Sequence, residues 1–176
     1  VKDSEFNIFS GTVANGGQVK GINFKGGADS PRSTIDSFED YVKMFKAKGL
    51  AWMALREDGL KSPIAKFLAE EEIEAIKSKM EAEEGDLLLI VADKASVVAA
   101  ALGNLRLKIA KENDLIPEEI YEFVWIVDFP LFEYDEDEDR MAAIHHPFTA
   151  PKEADIEKLE SDPASVRSKA YDLVLN

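Results

Sequence analysis

Leu87-Leu88-Leu89-Ile90-Val91-Ala92 is an unbroken apolar run. Successive side chains of a strand point to opposite faces, so this strand is apolar on both and needs cover on both. Gly85-Asp86 turns the chain into it, and Asp93 is placed to cap the helix that follows. In that helix Val98, Leu102, Leu105 and Ile109 recur at helical spacing and predict a buried stripe. Arg106, Lys108 and Lys111 lie on its outer side and last turn, where cations suit the dipole. Upstream, residues 70–80 predict a helix with Ile73, Ile76 and Met80 on one face. Its Glu70, Glu71, Glu72 and Glu74 project around the axis, which makes a solvated face and a poor metal site.

Further outward, residues 50–55 predict a strand containing Trp52, followed by the turn Arg56-Glu57-Asp58-Gly59. Residues 63–68 make a helical turn at most. Ser30-Pro31 offers a capping hydroxyl and a proline for the first helical position. Ile35, Phe38, Val42 and Phe45 supply the stripe of that helix, and Gly49 is expected as its left-handed cap. Residues 19–24 alternate as a strand, ended by Gly26-Gly27. That pair lacks the Lys-Ser/Thr of a phosphate-binding loop and reads as a turn. Residues 1–17 read as an extended lead-in, a first strand closed by Asn15-Gly16-Gly17.

Beyond Pro117 the pattern changes. Phe123-Val124-Trp125-Ile126-Val127-Asp128-Phe129-Pro130-Leu131-Phe132-Glu133 reads as a buried strand halted by proline. An acidic run from Tyr134 to Arg140 and the apolar Met141 to Ile144 complete a hairpin. It delivers His145 and His146, the only histidines, at its far end. Ile156 and Leu159 suggest a short amphipathic helix, and residues 169–175 a last strand. The fold class is α+β, with domains at 5–117 and 118–176.

The chain has 176 residues, is 45% apolar and carries a net charge of −14. The apolar share supports a real core, and the acidity argues against whole-surface binding to nucleic acid or anionic membrane. No cysteine is present, which excludes disulfides, thiolate zinc sites and cysteine nucleophiles and favours an intracellular origin. No run reaches membrane-spanning length and no signal-peptide pattern opens the chain. A start at Val1 and a stop at Asn176, directly after Leu173-Val174-Leu175, suggest an excised fragment.

His145 and His146, adjacent on an extended segment, face opposite ways and cannot easily share one metal ion. One facing a pocket could donate to an anionic group. The alternative is a surface histidine beside a packed one. The acidic run has Arg140 where a calcium loop needs glycine and His146 where it needs glutamate, so it reads as a solvated hairpin tip. Asp172 shares a strand face with Ala170 and Val174. Under cover it would need a cation, a metal or several donors; a structural salt bridge is equally open. Nothing resembles a complete catalytic set, and no catalytic residue is assigned.

Three blocks nevertheless closely resemble bacterial-type aspartyl-tRNA synthetase: Asp128-Phe129-Pro130-Leu131-Phe132-Glu133, then His145-His146-Pro147-Phe148-Thr149, then Ala170-Tyr171-Asp172-Leu173-Val174-Leu175-Asn176. Upstream, Val19-Lys20-Gly21-Ile22-Asn23, Lys48-Gly49-Leu50-Ala51-Trp52, Pro63-Ile64-Ala65-Lys66-Phe67-Leu68, Asp86-Leu87 and Val91-Ala92-Asp93-Lys94 are similar to the GAD domain inserted into that enzyme's class II core. The resemblance implies a GAD-type two-layer sandwich of antiparallel sheet and helices over 5–117. It implies a partial class II catalytic-core sheet over 118–176. It further implies a usually dimeric enzyme that activates L-aspartate with ATP and Mg²⁺ and acylates tRNA(Asp). On the matching positions, His145 contacts the aspartate, His146 sits beside it, and Asp172 lies near the ATP–magnesium site.

The family's ATP-gripping motif, its glycine-rich arginine segment and its anticodon-binding domain are not in this sequence. Transfer chemistry depends on such cationic groups, so the chain alone is expected to be inactive. A different expectation is a non-catalytic GAD module, as in a tRNA-dependent amidotransferase, for which the histidine segment has no use. A weaker one is an acidic calcium-binding domain.

Overall fold

The computed structural model describes residues 4–135 and 137–175, so Glu136 of the acidic run and the terminal Val1 and Asn176 lie outside it. The chain forms two compact units, which divide between Ile116 and Pro117. The architecture is α+β with antiparallel sheets, as the sequence indicates.

In the first unit α1 (Asn7–Ala14) leads into β1 (Gln18–Phe24), α2 (Arg32–Lys43), β2 (Ala51–Arg56) and β3 (Gly59–Lys61). A 3-10 turn at Ala65–Phe67, α3 (Glu70–Lys79), β4 (Leu87–Asp93) and α4 (Ala95–Glu112) complete it. The sheet order is β1-β4-β2-β3, every pair antiparallel. β4 lies between β1 and β2, and the period-two alternation divides its side chains. Leu87, Leu89 and Val91 pack with Phe38, Val42, Val98 and Leu105 of α2 and α4. Leu88 and Ile90 pack with Phe9 of α1, Ile76 of α3 and Met53 of β2. Helices therefore cover both faces of this sheet. Asp86 anchors the turn before β4: it is 3% exposed, and its carboxylate accepts from Asn23 Nδ2 (2.9 Å) and from the Gly26 and Glu83 N–H groups (3.0 Å each).

Four local expectations are corrected. Residues 7–14 are a helix, not a strand, because Phe6 and Phe9 meet edge-on (4.8 Å between ring centroids) and Phe9 is buried under the sheet. Pro31 stands at the cap itself, in extended conformation, and no side chain caps α2. The left-handed residue after α2 is Lys46 (φ 68°), because the helix ends at Lys43 and Gly49 already belongs to the approach to β2. Asp93 ends β4 instead of capping α4. Its Oδ1 accepts only from the neighbouring Lys94 N–H (2.8 Å), and Lys94 itself stands at the N-cap of α4, with no side chain capping the helix.

In the second unit β5 (Phe123–Ile126) pairs antiparallel with β8 (Asp172–Leu175), and β6 (Phe132–Asp135) pairs with β7 (Arg140–Ala143). The long apolar run is thus two strands. Asp128 turns the chain between them with φ 61°, so the hairpin is built by β6 and β7 and not by the run as a whole. β5 is not buried, being exposed along its whole length. Instead, the centre of this unit is small: Leu131 and Val166 are buried, together with Ser168 and Asp155. The segment expected as an amphipathic helix is a 3-10 stretch, Glu153–Lys158, turned so that Asp155 points inward while Ile156 is exposed.

Candidate functional site

Residues 145–149 follow β7 as an irregular loop carrying both histidines. Before the loop, the Ile144 N–H donates to Leu131 O (3.2 Å). His145 is partly buried, with its ring edge-on to Phe129 at 5.5 Å and 82°. Its Nε2 is buried and has no hydrogen-bond partner. His146 is exposed. Its Nδ1 accepts from the Phe148 N–H (3.2 Å), its carbonyl accepts from the Thr149 N–H (2.8 Å), and its ring lies 4.7 Å from that of Phe148. The two imidazoles therefore have different neighbours: one rests on the protein, the other on its own loop.

Asp172 is not in a sheltered place. It opens β8 opposite Ile126 and is exposed, because the β5–β8 ribbon is uncovered in this unit. No described hydrogen bond or ion pair joins it to either histidine, so the cation argued from burial is not required here. Among the described residues no three His, Asp or Glu side chains converge on a metal-sized point. The acidic tip satisfies itself. Asp135 Oδ1 accepts from the Asp137 and Glu138 N–H groups (2.9 and 3.1 Å), Tyr134 donates to Asp139, and Arg140 pairs with Glu138.

The strongest electrostatics lie at residues that no sequence pattern singles out. Asp155 is 1% exposed, and its Oδ2 accepts from Arg167 Nε (2.7 Å) and the Arg167 N–H (3.1 Å). Its Oδ1 accepts from Arg167 Nη2 (3.2 Å) and Lys158 Nζ (3.1 Å). The Arg167 hydrogen bonds hold the Asp155 carboxyl far below the ordinary carboxylate range, against the opposing effect of burial. Arg167 Nη1 also lies 3.6 Å from Asp128 Oδ1, and Lys152 pairs with the same oxygen. The Asp128 carboxyl is lowered in turn, chiefly by Lys152. Twelve positions separate Asp155 from Arg167, a distance at which no helical or strand periodicity pairs side chains.

A separate groove of about 820 Å³ lies in the first unit beside α1 and the ends of β2 and β4. None of the candidate residues lines it. No helix among the described residues is long and apolar enough to cross a membrane.

The GAD domain family model matches residues 9–102. The whole chain is 71% identical to an aspartate–tRNA(Asp/Asn) ligase of Halothermothrix orenii. It is 58% identical to the protein of that name in Anoxybacillus flavithermus, and 55% identical to an aspartate–tRNA ligase of Clostridium acetobutylicum. Each match takes in all of this chain and 30% of the relative. The chain therefore spans about three-tenths of the length of these curated relatives.

Proposed function

The chain belongs to the GAD domain family, and from that premise we propose that it is one portion of an aspartate–tRNA ligase. The longer enzyme joins L-aspartate to ATP and transfers the aspartyl group to tRNA(Asp). The observation that carries this reading is that the similarity to ligases does not stop at residue 102. It continues through the histidine loop and β8 to the last residue. In this reading the GAD domain occupies 5–117, and 118–176 contributes part of the class II core of a cytoplasmic homodimer.

His145 and His146 are the aspartate-binding candidates. An imidazole with an uncommitted Nε2, resting on Phe129, can offer an N–H to a carboxylate and gains charge assistance when protonated. Asp172 is a single exposed carboxylate, and the described residues do not by themselves fit a magnesium ion. No step is derived through the metal. Asp172 is proposed as one ligand to MgATP, with the others outside this chain.

The test is the longer ligase carrying His145→Ala and His146→Ala, singly and together. Loss of one charge-assisted contact should lower kcat/KM for aspartate by about tenfold or more. Undiminished charging by the double variant overturns the assignment. The 176-residue chain alone should show no aspartate-dependent ATP–pyrophosphate exchange. Detectable exchange would sink that expectation. Charging assays with both tRNA(Asp) and tRNA(Asn) establish the tRNA range.

The second reading is an accessory GAD module without catalysis. It predicts that removing residues 118–176 from the longer protein leaves its function intact, whereas the ligase reading predicts complete loss.

A further inference from the structure

We propose that Asp155 and Arg167 are positioning residues that set the orientation of the His145 imidazole. The proposal rests on the reading of His145 as an aspartate contact.

The histidine loop is held at both ends, and both holds run through one short segment, residues 166–169. On one side of that segment Val166 O accepts from the Leu131 N–H (2.8 Å), and the Ser168 N–H donates to Phe129 O (2.7 Å). On the other side Arg167 O accepts from the Lys152 N–H (2.9 Å), and the Lys169 N–H donates to Ala150 O (2.9 Å). The first pair fixes Phe129, whose ring meets His145, and Leu131, whose carbonyl takes the Ile144 N–H. The second pair fixes residues 150–152, where the loop ends. A displacement of residues 166–169 therefore moves both ends of the loop.

Arg167 is what holds that segment in place. Asp155 grips its backbone and two of its side-chain nitrogens, a fork that a lysine ammonium cannot reproduce. The opposite edge of the guanidinium faces Asp128, the residue next to Phe129, which sits at φ 61°. Asp155 is at 1% exposure while the Arg167 side chain is 44% exposed, so the carboxylate end of the pair is the end shielded from water. A well-packed apolar pair often stabilises as well as a buried ion pair. What the ion pair adds is direction: three fixed donor–acceptor vectors in a unit with only a small apolar centre.

The test begins with the chain itself. In ¹H–¹³C spectra Phe129→Leu supplies the reference positions of the His145 ring protons without the ring contact. Arg167→Ala should move those resonances most of the way to the reference positions. The Leu131 and Val166 methyls should stay dispersed, and Arg167→Lys should restore less than half of the change. His145 resonances unmoved in Arg167→Ala overturn the proposal. If that variant loses methyl dispersion, Asp155→Asn, which keeps the side chain's shape and weakens its hold on Arg167, is read by the same two outcomes.

In the longer ligase, Arg167→Ala should raise KM for aspartate by about tenfold, the scale of a misplaced contact, with KM for tRNA unchanged. His145→Ala is measured beside it. If His145→Ala raises KM and Arg167→Ala does not, positioning is refuted. If neither changes KM, the aspartate reading of His145 fails, and the spectra alone decide whether Arg167 sets the ring.

Discussion

In β4 the side chains of Leu87, Leu88 and Leu89 are wholly buried, whereas in β5 Phe123, Val124 and Trp125 are 63%, 54% and 61% exposed. Both stretches have an unbroken apolar sequence and both form strands. They differ in their neighbours. β4 has a strand on each edge and helices over each face, all supplied by the first unit. β5 has β8 on one edge and no packed layer on either face within its unit. Strand pairing needs one partner and is decided locally, while burial needs a second layer. A two-stranded ribbon is marginal without one. Polar contacts compensate in part: the small centre of the second unit includes the buried Asp155, held by Arg167, where the first is centred on leucine and phenylalanine.

The largest test of this contrast is a pair of truncations. Leu89→Ala removes a side chain at 0% exposure and should destabilise the first unit by about 2–5 kcal/mol in urea unfolding. Val174→Ala in the ribbon should change stability by less than about 0.5 kcal/mol. Equal costs would mean that β8 is covered after all. Native-state hydrogen exchange sharpens the contrast. Amides of β4 should exchange close to the global opening rate, and those of β5 and β8 much faster. Uniform protection across 18–112 and 118–175 would break it.

Acid should act on both units through different carboxylates. Burial alone would raise the Asp86 carboxyl, but the Glu83 N–H, Asn23 amide, Gly26 N–H and Lys25 outweigh it and hold it low. The Arg167 hydrogen bonds do the same for Asp155. Because both are more acidic folded than unfolded, the unfolded chain binds more protons once pH drops toward about 4. Their stabilising contribution is full above that value and is lost as pH falls through the folded values. Asp155→Asn should remove part of the acid-induced loss of methyl dispersion in the second unit and leave that of the first unchanged. Asp86→Asn should do the reverse. An acid profile for each unit unaffected by its own variant would refute the assignment.

The smallest effect lies at the end of α2. Lys46 occupies the left-handed region, so Lys46→Gly should stabilise by about 0.5 kcal/mol in thermal melts. Gly49→Ala should be nearly neutral, since Gly49 has ordinary φ and open space where a Cβ would stand. A larger loss at Gly49 would place the helix cap there.

That last pair shows how far local rules reach. Glycine is the usual left-handed residue, so Gly49 was the natural reading from sequence. Packing of Val42 and Phe45 fixed the end of α2 three residues earlier, and lysine bears the strain. The apolar spacing of Phe6, Phe9 and Val13 is likewise compatible with a helix, but only contact with Phe67 and the sheet selects it. For the site, the family-like blocks led to His145, His146 and Asp172. Nothing in the sequence linked Asp155, Arg167 and Asp128, which tertiary folding brings together from three separate segments.

By itself, the sequence determined the class of fold, the order β1, α2, β2, α3, β4, α4 in the first unit and the stripes those helices bury. Period and composition are local properties, and β4 carries them without ambiguity. Which apolar strand is covered and which lies open was decided by the tertiary structure, as were the inward turn of an aspartate in place of the neighbouring Ile156 and the surface on which His145 rests. Burial and ion pairing depend on groups far away in the chain, and no local pattern encodes where they will meet.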